Sequence, residues 1–124
     1  MPWIDGWLDD GLAITEGYWD RTSRTGADAQ QQLWDWDRYR RRYLRAAEQV
    51  ELLLSPVTAE VAPVERGIER RDFLFTLPAS LTGSPAVAVP AGRDDAGMPI
   101  SVQVMGRPWE DGWVLAAARV LEAG

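Results

Sequence analysis

The spacing of apolar and polar residues along the chain predicts helices at two places. Residues 27–49 contain the clearest one, because apolar side chains recur there at spacings of three, four and seven, as they do on one face of a 3.6-residue period. These side chains are Leu33, Trp36, Tyr43, Ala47 and Val50. A second amphipathic helix is predicted from about Glu110 to Ala123. Its apolar positions are Trp113, Val114, Ala117, Val120 and Leu121.

The same pattern predicts three short strands. Residues 51–55 and Ala86–Val89 are consecutive apolar runs, each followed by a proline, and they have the character of strands buried on both faces. Residues 100–105 alternate instead, with Ile100, Val102 and Val104 on one side of the strand. Because the eight-residue loop 91–98 connects the last two strands, we expect them to form an antiparallel pair.

Two segments are not predicted to form a long element. Residues 1–26 are rich in tryptophan, glycine and aspartate, which favours short helical turns and loops over one helix. Residues 56–71 are expected to form a surface loop. Residues 72–82 are ambiguous, because Pro78 would kink a helix there or divide it into two short pieces.

The order of the predicted helices and strands indicates an α/β or α+β fold with a mixed sheet, and three strands are few for a sheet that stands alone.

The chain lacks three residue types on which much enzyme chemistry depends. None of its 124 residues is histidine or cysteine, and all 13 basic residues are arginine, so lysine is absent too. Ser-His, Cys-His and Ser-Lys pairs are therefore excluded, as are imidazole and thiolate metal ligands. We expect that these residues alone form no hydrolase of a common type and bind no metal and no cofactor.

The charge balance bears on the possible partners. A formal net charge of −6 disfavours nucleic acid, which requires a basic surface. Five arginines between positions 38 and 45 could hold RNA, but Asp35 and Asp37 precede them, and a solvated helix face explains the run better. No apolar stretch approaches the roughly 18–20 residues of a membrane span, and the acidic N-terminus lacks the features of a secretory signal. We therefore expect a cytoplasmic protein without nucleic-acid or membrane partners.

Three segments, taken in order, resemble the C-terminal stretch of the amidase-signature family. Val50–Pro63 is similar to the family's apolar strand and proline-rich loop, and Phe75–Gly92 is similar to its F-T-x-P-x-N-L-T-G-x-P motif. Gly97–Glu122 is similar to its G-x-P-x-G-x-Q motif and the helix that follows. Two positions depart from the pattern: Ser80 stands where many members have asparagine, and Ser101 where glycine is common.

The resemblance implies a fold and a site. Residues 27–124 would form the C-terminal part of an amidase-signature α/β/α sandwich with a mixed sheet, preceded by the irregular segment 1–26. In the family, the segment similar to Phe75–Pro85 runs beside the acyl-binding channel. Four residues are therefore candidates for the wall of a substrate channel: Phe75, Thr76, Ala79 and Ser80.

The resemblance also implies which residues are missing. The family's catalytic residues are a serine, a cis-configured serine and a lysine. Because the chain has no lysine and no Gly-Gly-Ser-Ser segment, no catalytic residue can be assigned in it.

Simpler structural roles compete for several of the singled-out residues. Thr76 and Ser80 lie four apart, so one helical face could present both hydroxyls to a substrate, or each hydroxyl could bond a backbone carbonyl one turn back. The acidic pairs at positions 94–95 and 110–111 suit a turn and a helix N-terminus better than a metal site. The tryptophans suit packing better than stacking on sugars or bases.

Two functions are compatible with these observations. The first is an amide-hydrolase fragment that supplies scaffold and part of the substrate channel. Its partner would be an N-terminal amidase portion, and a small amide would be the substrate of the complete enzyme only. The second is a non-catalytic interaction protein that reuses the fold and binds another copy of itself, through sheet edges or the tryptophan-rich segment.

Overall fold

The computed structural model describes residue 6 and residues 8–14, 25–62 and 69–124. Most of the segment predicted to be irregular, residues 1–26, lies outside the described residues, as do Trp3, Trp7 and Trp19. Within that segment, residues 8–14 are helical. The boundary between residues 26 and 27 therefore stays a prediction.

The first long helix, α1, spans Gly26–Ala47, within two residues of the predicted bounds. Thr25 caps it. The Thr25 hydroxyl accepts a hydrogen bond from the Asp28 amide at 3.2 Å, and the Asp28 carboxylate accepts one from the Thr25 amide at 2.9 Å. The predicted apolar face is partly wrong, because Leu33 is exposed and the buried residues are Tyr39 and Tyr43. The reason is that α1 contributes to the core only through its residues between 36 and 47.

Three strands form an antiparallel sheet in the order β1-β3-β2. They are β1 (Leu52–Pro56), β2 (Ala86–Arg93) and β3 (Pro99–Gly106). The predicted antiparallel pair of β2 and β3 is confirmed. The order of elements predicted a mixed sheet, whereas both strand pairs of the described residues are antiparallel. The mixed sheet of the whole sandwich stays a prediction.

Strand β2 continues beyond the proline that was expected to end it. Pro90 is paired with Ser101, and a register shift between Pro90 and Gly92 leaves the intervening residue out of the pairing. Proline is tolerated here because β2 is an edge strand. Gly92 has a φ of 147°, which a residue with a Cβ rarely adopts, so the bulge depends on glycine at this position.

The central strand has helices on both of its faces. Met105 and its cross-strand neighbour Leu53 point to the side of α1, where they contact the cluster of Tyr39, Tyr43 and Leu81. Residues of β3 alternate between faces, so Val104 points to the other side, where the C-terminal helix packs on β2 and β3. Helix, sheet and helix are therefore stacked in three layers, the α/β/α arrangement that was predicted.

The predicted burial of the strands needs correction. Consecutive buried residues on both faces occur in β3, at Gln103, Val104 and Met105, although its alternating pattern predicted a strand with distinct sides. The apolar runs of β1 and β2, which were expected to be buried on both faces, are more exposed. Leu54 in β1, for example, is 57% exposed. Both strands lie at the edges of the sheet. Leu54 is on the face where the C-terminal helix packs, and that helix packs on β2 and β3.

The ambiguous segment forms two short helical pieces, as the position of Pro78 suggested. A 3₁₀ helix covers Arg70–Phe73, and helix α2 covers Leu77–Thr82 with the proline in its first turn. Helix α3 spans Asp111–Ala123, close to the predicted bounds. None of the helices among the described residues is long and apolar enough to cross a membrane.

Candidate functional site

The segment that carries the candidate channel residues is attached to the central strand by one buried side chain. The Gln103 side-chain amide donates a hydrogen bond of 3.0 Å to the carbonyl oxygen of Phe75. Gln103 is buried in the middle of β3, where an unpaired amide would be costly. This bond fixes Phe75, which lies in the turn between the two short helical pieces, relative to the sheet.

The two hydroxyl groups of the candidate set are engaged locally. Thr76 donates from its hydroxyl to the Phe73 carbonyl at 3.1 Å, and Ser80 donates to the Thr76 carbonyl at 3.3 Å. These are the backbone bonds that the simpler interpretation predicted. Each hydroxyl oxygen keeps lone pairs with which it can accept a hydrogen bond from another group. Whether Thr76 and Ser80 contact a substrate stays a prediction.

Helix α2 is held at its C-terminal end by α1. The Trp36 indole donates a hydrogen bond of 2.6 Å to the Leu81 carbonyl, and Arg40 donates one of 3.4 Å to the Thr82 carbonyl. Helical carbonyls at this end have no partner within the helix, so the two α1 side chains satisfy them. Gly83, at a φ of 70°, ends the helix in the left-handed conformation that favours glycine.

A cavity of about 160 Å³ lies beside Phe75. Its wall is mainly apolar and comes from the helical residues near the N-terminus, α1, β1, the turn at Phe75, α2 and β3. The lining residues are Leu8, Tyr43, Leu53, Leu54, Ser55, Pro56, Phe75, Pro78 and Met105. Of the four candidate residues, Phe75 is the one that lines this cavity, and Ala79 packs against the core cluster instead.

The tyrosines at the core of the molecule are held in their neutral form. Burial raises the pKa of Tyr43 to about 12, and its hydroxyl donates to the Met105 sulfur at 3.5 Å. The pKa of Tyr39 is also raised, first by burial and then by the nearby Tyr43 and Asp10. Because burial disfavours the phenolate, neither tyrosine is suited to act as a base near neutral pH.

Asp94 and Glu110, one member of each acidic pair, have structural partners. Asp94 accepts hydrogen bonds from the amides of Ala96 and Met98 at 2.9 and 2.8 Å, which closes the turn between β2 and β3. Glu110 precedes α3 and pairs with Arg107 at 3.4 Å.

The arginines of α1 lie on an exposed face with aspartates beside them. Arg41 pairs with Asp37 at 2.7 Å, Arg38 lies 3.7 Å from Asp35, and Arg42 lies 3.5 Å from Asp10. This mixture of charges is the solvated helix face that the sequence indicated.

Most of the chain matches the sequence pattern of one protein family. The family model described as Amidase matches residues 16–115. The chain belongs to the amidase family. The match spans α1, the sheet and the first turn of α3, and it includes the segment that carries Phe75 and the Gln103 amide that holds it.

Individual amidases support the assignment. A fatty acid amide hydrolase from Medicago truncatula is 30% identical over 132 residues, covering 93% of this chain and 22% of the relative. A component of the glutamyl-tRNA(Gln) amidotransferase from Rhizorhabdus wittichii is 42% identical over 89 residues, covering 66% of this chain and 18% of the relative. A crystal structure of an amidase superposes with a TM-score of 0.73 at 32% identity, covering 81% of this chain and 25% of that one. The chain thus spans about a fifth of the length of the curated relatives it matches.

Sequence reasoning missed the residue that positions the candidate segment. Gln103 is the glutamine of the G-x-P-x-G-x-Q motif and lies on one side of an alternating strand, but no role was predicted for its side chain, which connects β3 to a carbonyl 28 positions earlier in the chain. A signal was present, because an amide side chain among Val102, Val104 and Met105 has to find a partner when the strand is buried. The sequence could not say which carbonyl would be that partner.

Proposed function

We propose that this chain supplies scaffold and part of the substrate channel of an amide hydrolase. In this proposal the serine nucleophile, the cis-configured serine and the lysine come from polypeptide outside these 124 residues. The proposal is supported by the family match and by the absence of lysine at every position. The proposal places the reaction in the cytoplasm. It also needs no metal, because a serine–lysine relay requires no Lewis acid to activate its nucleophile.

The observation that carries the proposal is the apolar cavity beside Phe75. A cavity of about 150 Å³ lined by apolar side chains is large enough to bind benzene, and the volume here is similar. An apolar acyl or aryl group of an amide substrate fits this wall, whereas a charged group would lose its hydration without gaining a partner. The relative from Medicago truncatula is a fatty acid amide hydrolase by name, which agrees with an apolar acyl group.

Each of the four candidate residues has a defined part in the proposal. Phe75 contacts the apolar group directly, and Ala79 packs against the core cluster that includes the cavity-lining residues Tyr43 and Met105. Thr76 and Ser80 donate their hydroxyl protons to backbone carbonyls, so they can only accept hydrogen bonds, such as one from the N–H of an amide substrate. The chemical step, attack of the serine oxygen on the amide carbonyl, occurs on other residues.

Complementation tests the proposal. The chain would be mixed with an amidase-family relative from which the segment matched here has been removed, and hydrolysis of an amide with an apolar acyl group would be measured. We expect hydrolysis in the mixture and none with either polypeptide alone. A chain that folds as a stable monomer yet restores no activity would contradict the proposal.

A matched pair of variants tests the role of the cavity. In the active mixture, Phe75→Ala is expected to raise KM for amides with apolar acyl groups while kcat changes little, because the contact is made equally in the ground and transition states. The chain's other phenylalanine, Phe73, does not line the cavity, so Phe73→Ala serves as the control. Equal effects of the two substitutions would count against Phe75 as a channel residue.

The second candidate function is a non-catalytic interaction protein built on the amidase fold. The exposed apolar side of α3 is the observation that favours it, since Trp113 and Val120 are both largely exposed. A discrete self-associated species that restores no hydrolysis in the complementation assay would favour this function over the first.

A further inference from the structure

Helix α3 is apolar over more of its circumference than one sheet can cover. With 3.6 residues per turn, its three charged residues, Asp111, Arg119 and Glu122, project within about 80° of one another around the axis. Val114 and Ala118 point to the sheet and are buried. We call the remaining side the outer arc. It consists of Gly112, Trp113, Ala116, Val120 and Ala123, all exposed.

The outer arc has the character of a contact surface. Trp113 is 69% exposed and Val120 is 74% exposed. A helix that is apolar on nearly all sides is normally buried on all of them, and a contiguous exposed apolar patch marks an interaction site. Trp109, at the N-terminal end of α3, is 96% exposed and has a φ of 70°, which is rare for a bulky side chain.

We propose that the outer arc is the contact surface of a symmetric dimer, in which α3 of a second copy of this chain packs against it in the antiparallel direction. The order of side-chain sizes along the arc supports this occupant. Trp113 and Val120 lie three and four residues on either side of the small Ala116. Around a twofold axis at Ala116, Trp113 of each copy therefore meets Val120 of the other. A surface that matches itself in this way is the requirement for an isologous interface.

The small residues allow the two helices to approach closely. Ala116 at the crossing point and Gly112 one turn before it leave room for an interaxial distance at the short end of the usual range of about 8–10 Å. Trp113 alone exposes about 170 Å², roughly a fifth of the ~800 Å² that each partner contributes to a standard interface.

The distribution of charge also fits a second copy. The chain carries a net charge of −6, so most of its surface would repel another copy. The outer arc carries no charged side chain. Arg119 borders it, and in an antiparallel pair Arg119 is directed toward the acidic first turn of the other α3, where Asp111 lies.

This dimer does not depend on the proposed amide hydrolase, since it requires only the residues of α3. The alternative occupant is polypeptide outside these 124 residues that covers α3 in the same way. If that is the occupant, the 124-residue chain is monomeric or aggregates without a defined size. The two occupants are therefore separated by the state of the chain in solution.

Disulfide trapping tests the geometry, since the chain has no cysteine of its own. Ala116→Cys places one thiol at the crossing point, where two copies bring their Cβ atoms to the separation of about 4 Å that a disulfide requires. Glu122→Cys places a thiol on the charged side of the same helix and is the matched control. We expect the Ala116→Cys chain to form a covalent dimer at least roughly tenfold faster than the control. Equal rates, or no dimer from Ala116→Cys, would overturn the proposal.

Sedimentation equilibrium supplies a second measurement that does not depend on an added cysteine. We expect the unmodified chain to form dimers of twice its 13.9 kDa mass. Trp113→Ala should weaken the dimer by roughly tenfold or more, as expected for a central tryptophan of an interface. Trp34→Ala removes a tryptophan of similar exposure, 63%, from α1 and should leave the dimer unchanged. A monomer, an aggregate without defined size, or a dimer that both substitutions weaken equally would contradict the proposal.

Discussion

At the scale of single residues, Gln103 connects the fold to the candidate site. Its amide group is buried in the central strand and donates to the carbonyl of Phe75, a residue that lines the apolar cavity. Without that bond the Phe75 carbonyl would have to find another donor in the wall of the cavity. Gln103 is therefore a positioning residue for the candidate channel.

Substitution of Gln103 by leucine tests this role. Leucine keeps most of the side-chain volume and removes the donor, so we expect a loss of about 1–3 kcal/mol in the free energy of unfolding. Gln31→Leu removes an amide that donates to Asp35 at 3.1 Å on the exposed side of α1 and should cost at most about 0.5 kcal/mol. Urea unfolding of both variants gives the comparison, and similar losses for the two would show that the Gln103 bond has no special importance.

The buried tyrosines predict how stability depends on pH. In the folded state the pKa of Tyr43 is raised to about 12 and that of Tyr39 is raised as well, whereas in the unfolded chain both are near 10. Because the folded state holds these protons more tightly, their contribution to stability is complete below about pH 10 and is lost as the pH rises through the folded values. The loss should approach about 1.4 kcal/mol per pH unit for each tyrosine that is ionised only on unfolding.

The composition removes the other side chains that would titrate in the same pH range. Lysine and cysteine are absent, so tyrosines are the only side chains that titrate between about pH 9 and 12. Unfolding by urea would be followed across that range, and Tyr43→Phe should flatten the decline. A stability that is constant up to pH 12, or a decline that Tyr43→Phe leaves unchanged, would refute the assignment.

At the scale of elements, the end of β3 and helix α3 are in close contact. A Cβ placed on Gly106 would lie 2.5 Å from a methyl carbon of Val114, nearer than side chains tolerate. Gly106 and Val114 therefore set the distance between the strand and the helix. The contact between these two residues determines how closely α3 packs on the sheet.

A double-mutant cycle tests this fit. Gly106→Ala forces the helix and strand apart and is expected to destabilise the fold by about 1–3 kcal/mol. Val114→Ala creates space at the same point, so the double variant should be more stable than the two single losses imply, with a coupling energy of about 0.5–3 kcal/mol. Thermal or urea unfolding of the four proteins measures the coupling. Simple additivity would mean that the two residues do not constrain each other.

Elements with a strong periodic pattern were predictable from the sequence, and their environments were not. Helices α1 and α3 and the pairing of β2 with β3 follow from spacing and loop length alone. The exposure of Trp113 and Leu54 could not be predicted, because periodicity identifies apolar residues without identifying the neighbour that covers them. Phe75 could be singled out from its motif, but the cavity beside it also needs residues from β1, β3 and the helical stretch 8–14, which are brought together by tertiary packing.

At the scale of the whole molecule, three layers of an amidase fold are present in a chain about a fifth as long as its curated relatives. In the part of the chain that the structure describes, the sheet has three strands, two of them at its edges, and apolar side chains are exposed on β1 and α3. The proposed amide hydrolase and the proposed dimer differ in the polypeptide that would cover these exposed apolar side chains. The amide hydrolase requires a polypeptide that carries the nucleophile, and the dimer requires only a second copy.

Amide hydrolysis by a chimeric enzyme tests the central claim most directly. In the Medicago truncatula fatty acid amide hydrolase, the segment aligned with this chain would be replaced by this chain, and turnover of a fatty acid amide would be measured beside the isolated 124-residue chain. We expect hydrolysis by the chimera and none by the isolated chain, because the proposed function assigns the channel wall and scaffold to this chain and the nucleophile and base to other polypeptide. Hydrolysis by the isolated chain, or a folded chimera without activity, would contradict the account.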